Sequence, residues 1–73
     1  MSKLALISSS DMVKLLYKLG FSELRQKGSH KFFIHEDGRT TTVPNHNKDL
    51  GRGLIRKILK DIQLSVYEYE DLK

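Results

Sequence analysis

The chain has 73 residues, no cysteine and a net charge of +4. A chain of this length makes one domain, residues 1–73, with a lean core, since it buries only about 60% of its unfolded surface. Without cysteine there is neither a disulfide framework nor a thiolate metal site. The apolar run Leu4 to Ile7 falls short of a signal-peptide core of roughly 7–15 residues. No segment approaches the roughly 18 apolar residues of a membrane span, so the expectation is a cytoplasmic protein with no membrane partner.

The charge is unevenly spread. Residues 14–60 hold 11 Lys/Arg against 4 Asp/Glu, and residues 61–73 hold 1 against 4. A basic body with an acidic tail suits a polyanionic partner, nucleic acid first, although a lysine-rich face can also be simple solvation.

In chain order, Ser8 to Asp11 followed by Met12, Leu15, Leu16 and Leu19 reads as a helix start and an i, i+3, i+4, i+7 apolar stripe. With Ser8 as N-cap, Asp11 falls at N3 and Ile7 can staple onto Met12. Gly20 suits the left-handed residue that ends a helix, with Phe21 folding back on Leu16. The helix is predicted over about residues 9–19.

Three short β-prone stretches follow. Ser22 to Lys27 is polar but alternating, which predicts a strand with one wet face, and Gly28-Ser29 breaks it. His30 to His35 is the second strand, and Glu36-Asp37-Gly38-Arg39 offers a tight hairpin through Asp37-Gly38. Arg39 to Val43 is the third, stopping at Pro44, which has no N–H for a ladder. After the polar loop Asn45 to Asp49, Leu54, Ile55, Ile58, Leu59 and Ile62 mark an amphipathic helix, with Arg56, Lys57 and Lys60 on its other face. Ser65 and Glu68 have capping-box spacing for a further turn or two of helix.

Helix, three-stranded antiparallel meander and helix make an α+β fold, with the helices on one face of the sheet and the other face open. This order resembles the double-stranded-RNA-binding domain, a likeness of architecture that says little about activity.

The histidine of Lys27-Gly28-Ser29-His30-Lys31-Phe32-Phe33 poses the functional question. In a regular strand His30 shares a face with Phe32 and Ile34. That face is apolar enough to be the core, which would bury the imidazole. Lys31, Phe33 and His35 then share the other face, where His35 is a solvent-facing strand residue. A reachable His30 would require an irregular strand start, which Gly28-Ser29 could permit. The pattern alone leaves a structural and a functional histidine both open.

Gly20-Phe21, Arg25, Gly28-Ser29-His30, Asp37-Gly38-Arg39, Val43-Pro44, His46, Lys48 and the run Gly53 to Leu59 together resemble the HicA family of toxins, small mRNA interferases paired with HicB antitoxins. The likeness covers about residues 8–67. In that family the histidine of Gly-Ser-His is catalytic, which implies that role for His30. Arg52 stands where many members have proline, and Leu54 where threonine is frequent. Both departures touch helix capping more than chemistry.

RNA carries its own nucleophile, the 2′-hydroxyl, beside the scissile phosphate. A small protein must then move protons and steady phosphate charge, and histidine, with an unperturbed pKa of about 6.5, can do the first near neutrality. Lys27, Gly28, Ser29, Lys31 and Arg56 are the expected RNA-binding residues. His46 is a candidate second catalytic group, or else a loop residue ordering the turn before the helix. The spacing of His30, His35 and His46 fits no metal site, and neither metal nor cofactor is expected. The expected partners are mRNA and a HicB-like antitoxin that covers His30, with Phe33 as its apolar anchor if Phe32 and Ile34 face the core. The free chain is expected to be monomeric. The alternatives are a non-catalytic RNA-binding module on the same fold and a protein-interaction adaptor.

Overall fold

In a computed structural model, which describes residues 4–46 and 48–73, the element order is α1 (Ser9–Lys18), β1 (Ser22–Lys27), β2 (His30–Ile34), β3 (Thr40–Pro44), α2 (Arg52–Ile62) and α3 (Val66–Leu72). The strands form one antiparallel sheet in the order β1-β2-β3. The α+β architecture expected from the sequence is the one observed, and it matches the double-stranded-RNA-binding arrangement. Of the expected loop from Asn45 to Asp49, Asn47 lies outside the described residues.

The helix ends follow local chemistry. The Ser8 side chain accepts from the Asp11 N–H at 3.2 Å, capping α1. At the other end Gly20 has φ +93°, and Phe21 N–H donates to the Leu16 carbonyl while Gly20 N–H donates to that of Tyr17. This is a Schellman closure. It turns the chain so that Phe21 is buried, with the Arg39 guanidinium 5.3 Å from the centroid of its ring. In α3, Ser65 and Glu68 satisfy each other's backbone N–H groups in a reciprocal capping box. The further helix suggested by their spacing is therefore real.

Met12, Leu15 and Leu16 of α1 and Ile55, Ile58, Leu59 and Ile62 of α2 bury their stripes against Phe33 and Val43 of the sheet. Tyr69 of α3 adds the largest fully buried side chain. Its hydroxyl donates to the Ala5 carbonyl at 2.5 Å, and Glu70 accepts from the Ala5 N–H at 3.0 Å. The acidic tail is thus structural: Asp61 accepts from Thr41 and Lys57, Glu68 caps α3 and Glu70 holds Ala5.

Two expectations about the sheet are overturned. The β2–β3 hairpin is not a two-residue turn through Asp37-Gly38. His35 N–H donates to the Arg39 carbonyl and Gly38 N–H to that of His35, enclosing Glu36, Asp37 and Gly38. Only Gly38 has positive φ, at +98°, whereas a two-residue type I′ turn needs positive φ at both central residues. The longer loop sets the register Ile34↔Thr40, Phe33↔Thr41 and Lys31↔Val43.

That register decides the faces. Phe33, with Val43 and Thr41, is buried against the helices, and Phe33 is completely inaccessible. Phe32 and Ile34 lie on the open side, half-buried. The expected assignment, with Phe32 and Ile34 in the core and Phe33 exposed, is reversed. Phe33 is a core residue, packed edge-on to Tyr17 at 6.0 Å between ring centroids, and cannot anchor a partner. His35 is likewise no solvent-facing residue. Its ring meets Phe21 edge-to-face at 5.1 Å.

Candidate active site on the open sheet face

Cross-strand partners share a face, so the registers assemble the open side residue by residue. Lys27 pairs with His30, Arg25 with Phe32 and Ser22 with Ile34. Across β3, His30 pairs with Pro44, Phe32 with Thr42 and Ile34 with Thr40. None of these nine residues is acidic. Glu23 pairs with Phe33 and belongs to the other side, because a bulge at Leu24 separates it from Arg25.

His30 is exposed at one end of this face. No irregular strand start is needed: the strand is regular from His30, and the face it shares with Phe32 and Ile34 is the open one. The approach to it is a two-residue turn, Gly28-Ser29, closed by the Lys27↔His30 pair. Gly28 has φ +61°, and Ser29 is not in the left-handed region. This matches a type II′ turn, which requires glycine first. The turn is tied on two sides. The Gln26 side-chain amide donates to the Gly28 carbonyl at 3.1 Å, and the Asn45 N–H donates to the Ser29 carbonyl. The second bond continues the ladder past Pro44. A rigid corner, with its carbonyls already occupied, therefore presents His30 beside Lys27.

The remaining expected residues divide. Lys27, Gly28 and Ser29 adjoin His30. Lys31 does not: alternation places it with Phe33 and Val43, and its ammonium pairs with Glu23 at 3.8 Å. It sits behind the sheet, so it does not crowd the phosphate side of His30 as the sequence suggested. Arg56 is exposed on α2, in the helical layer on the far side of the sheet from His30. His46 lies two residues beyond Pro44, the partner of His30. Chain length and strand spacing keep the two Cα atoms within about 13 Å. Its Nδ1 accepts from the Lys48 N–H at 3.3 Å and its ring is exposed, so it orders the loop and remains reachable.

One cluster was missed in the sequence reading. The Arg25 guanidinium lies 5.0 Å from the centroid of the Phe32 ring, a cation–π contact on the open face, one strand position further along from His30. The signal was the Phe32-Phe33 pair itself. Of two adjacent residues in a strand only one can face a single core, so the other must be outside.

Among the described residues no group of three His, Asp or Glu side chains is placed to hold a metal ion. No helix among them is long and apolar enough to cross a membrane.

No curated protein matches this chain in sequence. The family described as the HicA toxin of bacterial toxin–antitoxin systems matches residues 9–64. That span runs from the first residue of α1 to just past α2 and takes in the whole sheet and the Gly28-Ser29-His30 corner. The chain therefore belongs to the HicA toxin family, and is the toxin of a toxin–antitoxin pair.

Proposed function

We propose that this toxin is an endoribonuclease that cleaves mRNA with His30 as its catalytic residue, without a metal, and that a HicB-like antitoxin restrains it. The observation that carries this reading is the exposed imidazole at a rigid corner of a basic face free of carboxylates. An acidic neighbour would repel the phosphate backbone, and none shares this face. Lys27, the cross-strand partner of His30, supplies a neighbouring cation.

The chemistry requires little of the protein. The 2′-hydroxyl oxygen attacks the adjacent phosphorus, its proton passes to a base, and the bond from phosphorus to the 5′-oxygen breaks as that oxygen takes up a proton. A 2′,3′-cyclic phosphate and a free 5′-hydroxyl result. His30 serves as base or acid, an effect worth about 10²–10⁴-fold, and water or His46 completes the pair. Lys27 and the Ser29 hydroxyl stabilise the developing negative charge on the phosphate oxygens.

RNA incubated with the purified toxin in excess EDTA is expected to be cut into fragments ending in 2′,3′-cyclic phosphate. Products bearing 5′-phosphate, or activity abolished by EDTA, would overturn the metal-free mechanism. RNA bound but never cut would leave a non-catalytic binding module.

The antitoxin acts by occlusion in this reading, covering His30 and the open face. Electrostatic steering favours an acidic contact surface. A His30→Ala toxin loaded with antitoxin should fail to bind RNA. Unchanged RNA binding by that complex would replace occlusion with a conformational mechanism.

A further inference from the structure

We infer that the Arg25–Phe32 pair is a base-stacking platform, so that the open face binds single-stranded RNA with one unpaired base on Phe32 while a neighbouring phosphate lies at His30. This rests on the ribonuclease reading and deepens it, by naming the strandedness of the substrate and the residue that holds it.

Phe32 is an aromatic residue that the core does not use. It is partly exposed in the middle of the central strand, while its neighbour Phe33 takes the core position. Phe32 is flanked across the sheet by Arg25 on β1 and Thr42 on β3, so its cross-strand neighbours are cationic and polar. Two residues of strand separate it from His30, about 7 Å along the chain. A cation beside an aromatic ring on an open sheet suits an unpaired base, which stacks on the ring or on the guanidinium plane while its backbone meets the positive charge. A duplex cannot use this platform, because its base faces are already stacked on one another. Charge complementarity supports the same occupant. Arg25, Lys27 and His30 form a row along the β1–β2 side of the face, with no carboxylate among the face residues.

The test measures the affinity of a short single-stranded RNA containing 2-aminopurine, and of the same sequence as a duplex. His30→Ala serves as the background, so that the RNA survives. Adding Phe32→Ala should weaken single-strand binding by about 5- to 150-fold, the equivalent of the roughly 1–3 kcal/mol a stacked base is worth. Duplex binding should not change. Phe32→Trp should retain the affinity and the quenching of 2-aminopurine fluorescence, whereas Phe32→Leu, apolar but unable to stack, should lose both. The salt dependence separates the two members of the pair. Phe32→Ala should leave the log–log slope unchanged, and Arg25→Ala should flatten it by about 0.7, the value of one released single-strand counterion.

A control independent of protein folding is an RNA with one abasic nucleotide. Moved along the strand, it should reproduce the Phe32→Ala loss at a single position and add nothing when the two are combined. The platform is overturned if Phe32→Ala binds the single strand as tightly as its parent, or weakens duplex binding equally. If RNA is still cut in EDTA after such a result, the platform fails and the ribonuclease reading stands. A toxin that neither binds nor cuts RNA overturns both.

Discussion

Phe33→Ala tests the face assignment on which the site depends. The ring is fully inaccessible, between Tyr17 and the apolar residues of both long helices. Truncating such a phenylalanine removes its transfer free energy and leaves a cavity, together about 3–5 kcal/mol. A 73-residue domain has a total stability of only about 4–11 kcal/mol. At roughly 4–8 °C per kcal/mol for a domain of this size, the melting midpoint should fall by about 12–40 °C. The comparison is Phe32→Ala, one residue away on the same strand. Its partly buried ring and cation–π contact are worth about 1–2 kcal/mol to folding. Thermal unfolding followed by circular dichroism, with the two variants side by side, reads the difference. If Phe32→Ala destabilised as much as Phe33→Ala, the faces would be the other way round and His30 would point into the core.

Four further outcomes follow from named contacts and backbone angles. Gly28→Ala should cost about 1–2 kcal/mol in urea unfolding, because φ +61° disfavours an L side chain although its Cβ would meet open space. Gly20→Ala should cost more, since φ +93° is combined with a Cβ 3.1 Å from the His35 Nε2; equal costs would remove the role of that contact. Tyr69→Phe should lower stability by about 0.5–1.5 kcal/mol by freeing the Ala5 carbonyl, and a neutral result would mean that water replaces the hydroxyl. The Glu70 carboxyl is held below its ordinary value of 4.5 by the Ala5 N–H first, and then by Lys73. A depressed folded value gives stability that is complete above about 4.5 and lost as pH falls through the folded value. The advantage of wild type over Glu70→Gln, read as the melting midpoint against pH, should shrink on acidification, and one that grew would reverse the sign.

Much of the fold was legible because its determinants are local. Ser8 with Asp11, Gly20 with Phe21, and Ser65 with Glu68 each close a helix end through atoms a few residues apart, and the Ile/Leu stripe of α2 is a single periodic signal. The open face was not legible, because it depends on register. A two-residue turn at Asp37-Gly38 would set Phe32 opposite Val43. The observed loop sets Lys31 opposite Val43 and Phe33 opposite Thr41. A slip of one residue exchanges the faces of a strand. Lys31, Phe32, Phe33 and His35 were misplaced because the side holding Phe32 and Ile34 is the more apolar, and in so short a strand apolarity alone does not say which side the helices cover. His30 itself was legible as a functional candidate from the Gly-Ser-His motif. Its exposure has the opposite cause to the one expected: the face it shares with Phe32 is open, and the strand start is regular. The Arg25–Phe32 pair joins two strands across a bulged register, which no local pattern encodes.

The central claim is that His30 acts in chemistry while adding little to folding. Growth inhibition and thermal midpoint measured together on His30→Ala test it most directly. The imidazole is exposed and no part of the core, so the midpoint should stay within a few degrees of wild type, as for surface substitutions of about ±0.5 kcal/mol, while toxicity is lost. A His30→Ala protein that folds and still arrests growth would contradict the claim.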